Sequence, residues 1–564
     1  MQTLTLTGNV EQDQGYAAGV LAPKVLFQGR FKKGVNVTDW ACFGLFVIGV
    51  IAYLAMGIYI TGRTNITITP ESILFSPELE AEFLACEPPF GRILQTDVSL
   101  CKDTWCLFSA AAYIPVLTIL LVPIVGVLWL VGLYFFTAPI VWVSSIFSGV
   151  FLILIGTALI IELPEEPVVG GLFIGLGSLS LLFLAYTRES VRKAIGHFKF
   201  AIHALSKNKD VFLASGILQL LMIAFVGLHW FFTLSLSQVG EIDPISCDLI
   251  IMPKSVYVPF VVMNFLLLWV IAFLRSASLV TVSMTVASWA FDQDDRPSQV
   301  ALRSMATSLT TSAGANSVGA LITALVEELR HRSTGPLFWL TPDGCIAKCA
   351  FLILQGCIQA LTRFATVSHA ITGESFFESA KSMFEILKRN FVGGYVLSQV
   401  GIAVVRVGSQ GFSICIGLLA WYMMDQEFGA NSLVDVVDTF QGLFGFVAFM
   451  IAYLYLLKFP LFTILIISFI MPFLSELDPS VELLIAFGAV FVSSISALIL
   501  NFTGSVVLDA LDTMFVVYAV SNEAGRDGSY NPEMAQLYVL MQDVPEAKVV
   551  QTHSRVPESA KYAL

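Results

Sequence analysis

The chain contains a succession of apolar stretches, each long enough to cross a lipid bilayer. A transmembrane helix needs about 20 apolar residues to cross roughly 30 Å of hydrocarbon, and residues 40–61 and 211–236 meet that length with almost no polar interruption. Hydrophobic residues make up 56% of the chain and charged residues 13%, which is far from the composition of soluble domains. The sequence therefore predicts an all-α, polytopic transmembrane helix bundle.

The apolar stretches predict about ten membrane spans. Besides the two stretches above they are 107–134, 137–161, 168–187, 255–291, 306–327, 345–371, 391–424 and 481–520. Residues 425–479 contain a further apolar segment, which is interrupted at Lys458-Phe459-Pro460. Because an even number of crossings there leaves the C-terminal tail on the inner side, the segment is predicted to be either an extra outer hairpin, which we favour, or two short spans.

Two connectors between spans predict amphipathic cytoplasmic helices. Residues 188–209 interleave basic and apolar side chains, as in a helix that lies on the inner leaflet, and residues 375–390 repeat the pattern. The predicted domain organisation is a cytoplasmic tail, a bundle that includes an outer loop, and a second cytoplasmic tail. The first tail is residues 1–38 and the second is residues 521–564. The bundle is residues 39–520, and the outer loop within it is residues 62–106.

The charges on either side of the first span predict its orientation. Basic residues, beginning with Arg30, precede the span and acidic residues follow it, so the positive-inside rule places the N-terminus in the cytoplasm. An even number of spans places the C-terminus there too. Asn65-Ile66-Thr67 then lies outside, where it is a usable N-glycosylation acceptor. A disulfide is expected among three cysteines of the outer loop, which are Cys86, Cys101 and Cys106.

The sequence argues against an enzyme, a metal site and a nucleotide-driven pump. It contains no G-x-x-x-x-G-K-[ST] loop, no H-E-x-x-H pair and no G-x-S-x-G elbow. We therefore expect no catalytic residues, no cofactor and no metal. Cys345, Cys349 and Cys357 recur near helical spacing without histidine partners, which favours buried thiols over zinc. The net charge of −12 argues against a nucleic-acid partner.

Five segments in order resemble the choline transporter-like family of membrane solute carriers. The first segment is Gly34 with Thr38-Asp39, before the first span. The others are 281–291, 294–322, the stretch from Ala370 through Phe376 to Asn390, and Leu511-Asp512-Thr513-Met514-Phe515. The resemblance implies a bundle of about ten helices that moves choline or a related quaternary amine without ATP. It also implies an integral protein of the plasma membrane, whose partners are the bilayer and a small organic amine.

A quaternary ammonium has no N–H donors, so aromatic faces must hold it. Trp269 and Phe273 lie one turn apart in the middle of a predicted span, and Trp269 aligns with a tryptophan that family members often carry. Tyr395 is a further candidate. The alternative is that aromatic residues near span ends form the interfacial belt. We predict a substrate site that contains Trp269, Phe273 and Tyr395.

Arg275 lies near the centre of the same span, where a lone arginine is costly. It must face water, a counter-ion or a substrate, so we add it to the predicted site. A guanidinium there favours a zwitterionic or phosphorylated amine, such as a thiamine ester, over choline. Asp512 and Arg406 also lie within apolar segments, and we predict that they act as a gate or a structural ion pair between helices.

Two further points concern packing and rival functions. Gly171-x-x-x-Gly175 is typical of close helix packing. A membrane scaffold or lipid-handling protein would show the same spans without a polar centre. The sequence does not decide the oligomeric state, and a monomer is the simplest expectation.

Overall fold

The computed structural model describes residues 39–64, 66–68, 73–75, 113–162, 167–237, 239–242, 249–251, 254–291, 299–333, 342–428 and 481–523. The described helices in the first half are α1 (Trp40–Thr61), α2 (Tyr113–Glu162), α3 (Pro167–Tyr186), α4 (Arg188–Lys207) and α5 (Asp210–Ser237). Those in the second half are α6 (Lys254–Phe291), α7 (Val300–Leu309), α8 (Ala313–Ser333), α9 (Pro342–Thr372), α10 (Phe376–Phe428) and α11 (Val481–Glu523). The N-terminal tail and most of the outer loop, of 425–479 and of the C-terminal tail lie outside the described residues, so the predicted domain bounds stay predictions.

The strands in the described ranges form two short antiparallel hairpins. β1 (Ile66–Ile68) pairs with β2 (Ile73–Phe75), with Thr67 opposite Leu74. β3 (Gly240–Ile242) pairs with β4 (Leu249–Ile251) between α5 and α6. Each hairpin thus lies in the connection between two long helices.

The architecture is a polytopic bundle of apolar helices. Six helices in the described residues are long and apolar enough to cross a membrane, or eight candidate spans exist if each of two bent helix pairs forms one span. The bundle surface is rich in exposed leucine, isoleucine and phenylalanine, as expected where lipid is the solvent. The predicted all-α membrane class is confirmed, and the predicted outer hairpin lies outside the described residues.

The predicted boundary between spans 107–134 and 137–161 agrees with a kink in α2. The kink lies at Phe136, whose non-helical backbone angles separate two helical segments. Pro139, three residues later, lacks the N–H that would bond the carbonyl of residue 135. The predicted break is therefore confirmed, whereas residues 107–112 lie outside the described residues.

The predicted span 306–327 is broken between α7 and α8, where the two axes bend by 70°. Polar groups explain the break, because side chains there bond the backbone carbonyls that a continuous helix would use. The amide of Asn316 donates to the carbonyl oxygen of Ser308 at 2.8 Å. The backbone N–H of Ser312 donates to Thr307.

Helix α4 is amphipathic, but its apolar face packs on other helices. Its buried residues include Val191, Phe198 and Leu205, and they join the core formed with α10 and α11. Arg192 and Lys199 are exposed on its other side. The helix therefore covers one end of the bundle, whereas we had expected its apolar face to lie on the inner leaflet.

Helices α2 and α3 pack closely through glycines other than the predicted pair. A Cβ added to Gly156 would lie 2.6 Å from the carbonyl oxygen of Gly170, and one added to Gly177 would lie 2.8 Å from that of Gly149. Nothing lies within 4 Å of a Cβ at Gly171, and the same holds at Gly175. The contact therefore uses glycines spaced by seven residues, and the prediction that Gly171-x-x-x-Gly175 packs against another helix is not met among the described residues.

Candidate functional site

A cluster of charged side chains lies inside the bundle between α9 and α11. The Nη2 atom of Arg363 on α9 lies 2.8 Å from Oδ1 of Asp509, and its Nε atom lies 2.6 Å from Oδ2 of Asp512. Asp509 and Asp512 share a face of α11 because they are three residues apart. One guanidinium thus joins two carboxylates at a depth where unpaired charges are costly.

The accessibility of the two carboxylates differs. The side chain of Asp512 is 1% exposed, whereas those of Asp509 and Arg363 are 13% and 26% exposed. Asp512 is therefore the most deeply buried side chain of the three. The predicted pair of Asp512 and Arg406 is wrong in its partner, because Asp512 pairs with Arg363. Arg406 is exposed on α10 and makes no ion pair within the described residues.

Arg275 lies beside this cluster, near the middle of α6. It interacts electrostatically with Asp509, Arg363 and Glu327. Its side chain is exposed, and it forms no hydrogen bond or ion pair with another described residue. Arg275 is thus a charge near the middle of a 38-residue helix, and its guanidinium forms no hydrogen bond or ion pair within the part of the chain that the structure describes.

Polar side chains extend the site onto neighbouring helices. Glu327 on α8 accepts a 3.5 Å hydrogen bond from the side-chain amide of Gln355 on α9. The hydroxyl of Thr513 donates to that of Ser283 at 2.8 Å, which joins α11 to α6. These contacts place polar groups beside the charged cluster, while α6, α9 and α11 also share a buried apolar core that includes Val282, Phe364 and Val507.

The predicted aromatic residues form a second cluster with Phe46 of α1. The ring of Phe46 stacks on Phe273 with centroids 4.2 Å apart and meets Trp269 edge-on at 5.5 Å. The indole N–H of Trp269 donates to the carbonyl oxygen of Ser317 at 3.2 Å. Trp269 and Phe273 are each 5% exposed. Their faces are covered in this conformation, so a solute reaches them only after α1 has moved.

The structure separates residues that we expected to form one site. At about 100° per residue, Arg275 points roughly 120° away from Trp269 and 160° away from Phe273 around α6. The aromatic residues face α1, whereas Arg275 interacts with charges on α8, α9 and α11. The side chain of Tyr395 lies outside the described residues, as do Asn65, Cys86, Cys101 and Cys106. Cys357 is exposed on α9, so the expected burial of that thiol is wrong.

Sequence reasoning missed two carboxylates that cap other helices. Oδ2 of Asp39, just before α1, accepts the backbone N–H of Phe376 at 3.0 Å, the first residue of α10. Oδ2 of Asp210, the first residue of α5, accepts the backbone N–H of Ala301 in α7 at 3.1 Å. A carboxylate at a helix N-terminus satisfies an orphan donor and complements the helix dipole. The sequence analysis singled out the pair Thr38-Asp39, but nothing in the sequence indicated that Asp39 bonds the backbone N–H of Phe376.

The corner between α9 and α10 is built around the same cap. Gly373 has a positive φ of 81°, which glycine adopts without strain. Nδ1 of His369 contacts the carbonyl oxygen of Glu374. Burial, and then the neighbouring Glu378, raises the pKa of the Glu374 carboxyl above its usual range. This corner and the Asp39 cap hold the beginnings of α1 and α10 together.

Comparison with known proteins identifies relatives of the chain. Residues 171–474, more than half of its length, match the sequence model of a family described as plasma-membrane choline transporter. Choline transporter-like protein 2 of Xenopus laevis is 30% identical over 178 residues, which cover 29% of this chain and 24% of that protein. A CTL-like protein of Dictyostelium discoideum is 28% identical over 198 residues, 34% of each chain. Protein PNS1 of Gibberella zeae is 23% identical over 195 residues, 32% of this chain and 36% of that protein. The alignments thus span about a quarter to a third of the length of these curated relatives.

Proposed function

Because the chain belongs to the plasma-membrane choline transporter family, a family of transporters and not of enzymes, we propose that it carries choline or a related organic amine across a membrane. We propose further that transport needs no ATP and proceeds by alternating access. The plasma membrane, with both termini in the cytoplasm and Asn65 outside, is the proposed location.

The charged cluster between α6, α9 and α11 is the observation that supports this proposal. A charge inside a membrane bundle must face a counter-ion, water or a substrate. Arg363 and its two aspartates neutralise one another in part, but Arg275 is exposed and makes no ion pair with a described residue. A scaffold or lipid-handling protein would have no use for such a costly arrangement.

Two parts of the bundle suit two parts of an amine solute. Phe46, Trp269 and Phe273 provide aromatic faces for a quaternary ammonium once they are uncovered. Asp509 offers a partly exposed carboxylate to the same cation. Arg275 suits an anionic group, because a guanidinium bonds phosphate or carboxylate through several N–H groups. A zwitterionic or phosphorylated amine, such as a thiamine ester, is therefore the second candidate substrate.

Uptake of labelled choline into proteoliposomes without ATP tests the proposal. Unlabelled ethanolamine, phosphocholine and a thiamine ester are added as competitors. We expect uptake by the wild-type chain that choline inhibits and that ATP does not change. Absence of uptake of every labelled amine, with the protein folded and correctly reconstituted, would refute the proposed function.

Arg275→Ala tests which part of the solute the guanidinium contacts. Hydrogen bonds to charged groups contribute about 1.5–3 kcal/mol, so we expect a phosphorylated competitor to lose roughly 10- to 100-fold in potency. Choline should lose little or become more potent, because a positive charge leaves the site. Arg406→Ala is the matched control, since Arg406 is also exposed on a membrane helix but lies outside the cluster. Equal inhibition profiles for wild type and Arg275→Ala would exclude this role for Arg275.

A further inference from the structure

A second group of aromatic rings lies where α1, α5 and α6 meet. The imidazole of His229 lies between Tyr53 and Phe260, with centroids 6.1 and 6.2 Å away and ring planes within 18° of parallel. Phe232 meets the Tyr53 ring edge-on at 5.9 Å, and Phe225 lies 6.4 Å from it. Three rings of α5 thus surround Tyr53 of α1, and Phe260 of α6 stacks on the far side of His229.

The hydroxyl of Tyr53 is the unusual feature of this group. Tyr53 is fully buried, at 0% exposure, and its hydroxyl has no hydrogen-bond partner among the described residues. Nδ1 of His229 is likewise buried without a partner there. Buried polar atoms nearly always have partners, because an unmade hydrogen bond is destabilising. Phenylalanine would fill the same space without that penalty, so packing alone does not account for the hydroxyl.

This group continues the aromatic cluster of Phe46, Trp269 and Phe273. Phe46 and Tyr53 are seven residues apart on α1, which places them about 20° apart around the helix and roughly 10 Å apart along it. The described ring contacts of Phe46 are with α6, whereas those of Tyr53 are with α5. One side of α1 therefore carries two aromatic contacts about two helical turns apart, one with α6 and one with α5.

We propose that the Tyr53 group is a second binding site for the substrate, specific for an ammonium that carries an alcohol. The aromatic faces hold the cation, and the Tyr53 hydroxyl exchanges a hydrogen bond with the hydroxyl of the solute. This inference rests on the proposed function and adds the recognition of an alcohol group. In the described conformation Phe232 covers the site, because its ring lies 2.2 Å from where a Cβ on Gly57 of α1 would be. Binding thus requires α1 to separate from α5.

Tyr53→Phe tests the hydroxyl without disturbing the rings. Choline and tetramethylammonium differ in that only choline has a hydroxyl, so each is titrated into the purified full-length chain in detergent. We expect the variant to bind choline about three- to tenfold more weakly, as for one lost hydrogen bond, and tetramethylammonium within twofold of wild type. The thermal unfolding midpoint should not fall, because the deleted oxygen has no partner in the described structure. Tyr59→Phe is the control, since Tyr59 lies on the same helix but is exposed.

Tyr53→Leu extends the test to the ring, and we expect it to weaken binding of both compounds. An equal change for choline and tetramethylammonium in Tyr53→Phe, or no change for either, would overturn the inference while leaving the proposed function intact. A wild-type chain that binds neither compound would overturn the inference, and the uptake assay with every labelled amine then decides separately whether the proposed function fails as well. These outcomes separate a failure of the site from a failure of the function.

Discussion

Removal of the Arg363 guanidinium should destabilise the bundle more than removal of any isolated charge. In Arg363→Met the carboxylates of Asp509 and Asp512 lose the nitrogen atoms that lie 2.8 and 2.6 Å from them. Breaking a buried ion pair from one side costs about 3–5 kcal/mol, because the remaining charge is left unpaired. Divided by the unfolding entropy of a chain of this length, this loss of free energy corresponds to a fall of roughly 3 °C or more in the thermal unfolding midpoint.

Thermal unfolding of the purified protein in detergent measures this effect. Arg406→Met is the matched control, and we expect it to be neutral or slightly stabilising because Arg406 is exposed on an apolar helix surface. The triple variant Arg363→Met, Asp509→Asn, Asp512→Asn removes all three charges together and should recover most of the loss. The reasoning would be refuted if Arg363→Met were no less stable than Arg406→Met, or if the triple variant were as unstable as the single one.

Two further predictions concern packing and capping. Gly156→Val should lower the stability of the protein by about 1–3 kcal/mol or more, because the valine side chain on α2 would collide with the backbone of Gly170 on α3. Gly171→Val should be neutral. Thermal unfolding of the two variants checks this, and equal unfolding midpoints would contradict it. Asp39→Ala should lower stability by about 1 kcal/mol because the N-terminus of α10 loses its cap. Asp39→Asn, which keeps an acceptor oxygen, should lose less stability. Thermal unfolding compares the two variants, and a larger loss in Asp39→Asn than in Asp39→Ala would contradict a capping role.

The helical membrane class could be predicted from the sequence because apolar length is a direct physical requirement of the bilayer. The break at 310–312 could not, because threonine and serine look compatible with a span by composition alone. Their effect depends on which carbonyl groups they bond, as Asn316 does with Ser308. The carbonyl group that such a side chain bonds can be identified only from the folded backbone and not from the sequence.

The charged residues were identified correctly as unusual, but their partners were not. Intramembrane arginine and aspartate stand out by their cost in hydrocarbon. Nothing in one sequence says which helices are neighbours, so the prediction paired Asp512 with Arg406, whereas the structure pairs it with Arg363. The glycines show the same limit, since Gly171 and Gly170 differ by about 100° around α3 and only one of them faces α2.

The separation of Arg275 from Trp269 has a consequence for the order of events in transport. Arg275 is exposed in the described conformation, whereas Trp269 is covered by Phe46 and Tyr53 by Phe232. Because α6 is one continuous helix, its charged and aromatic sides keep a fixed angle to each other. In the proposed transport cycle, a solute that enters in this conformation therefore meets the charged side first, and the aromatic side becomes available only when α1 moves. Arg275→Ala and Tyr53→Phe consequently report on different steps, and a shared phenotype of the two variants would argue against this order.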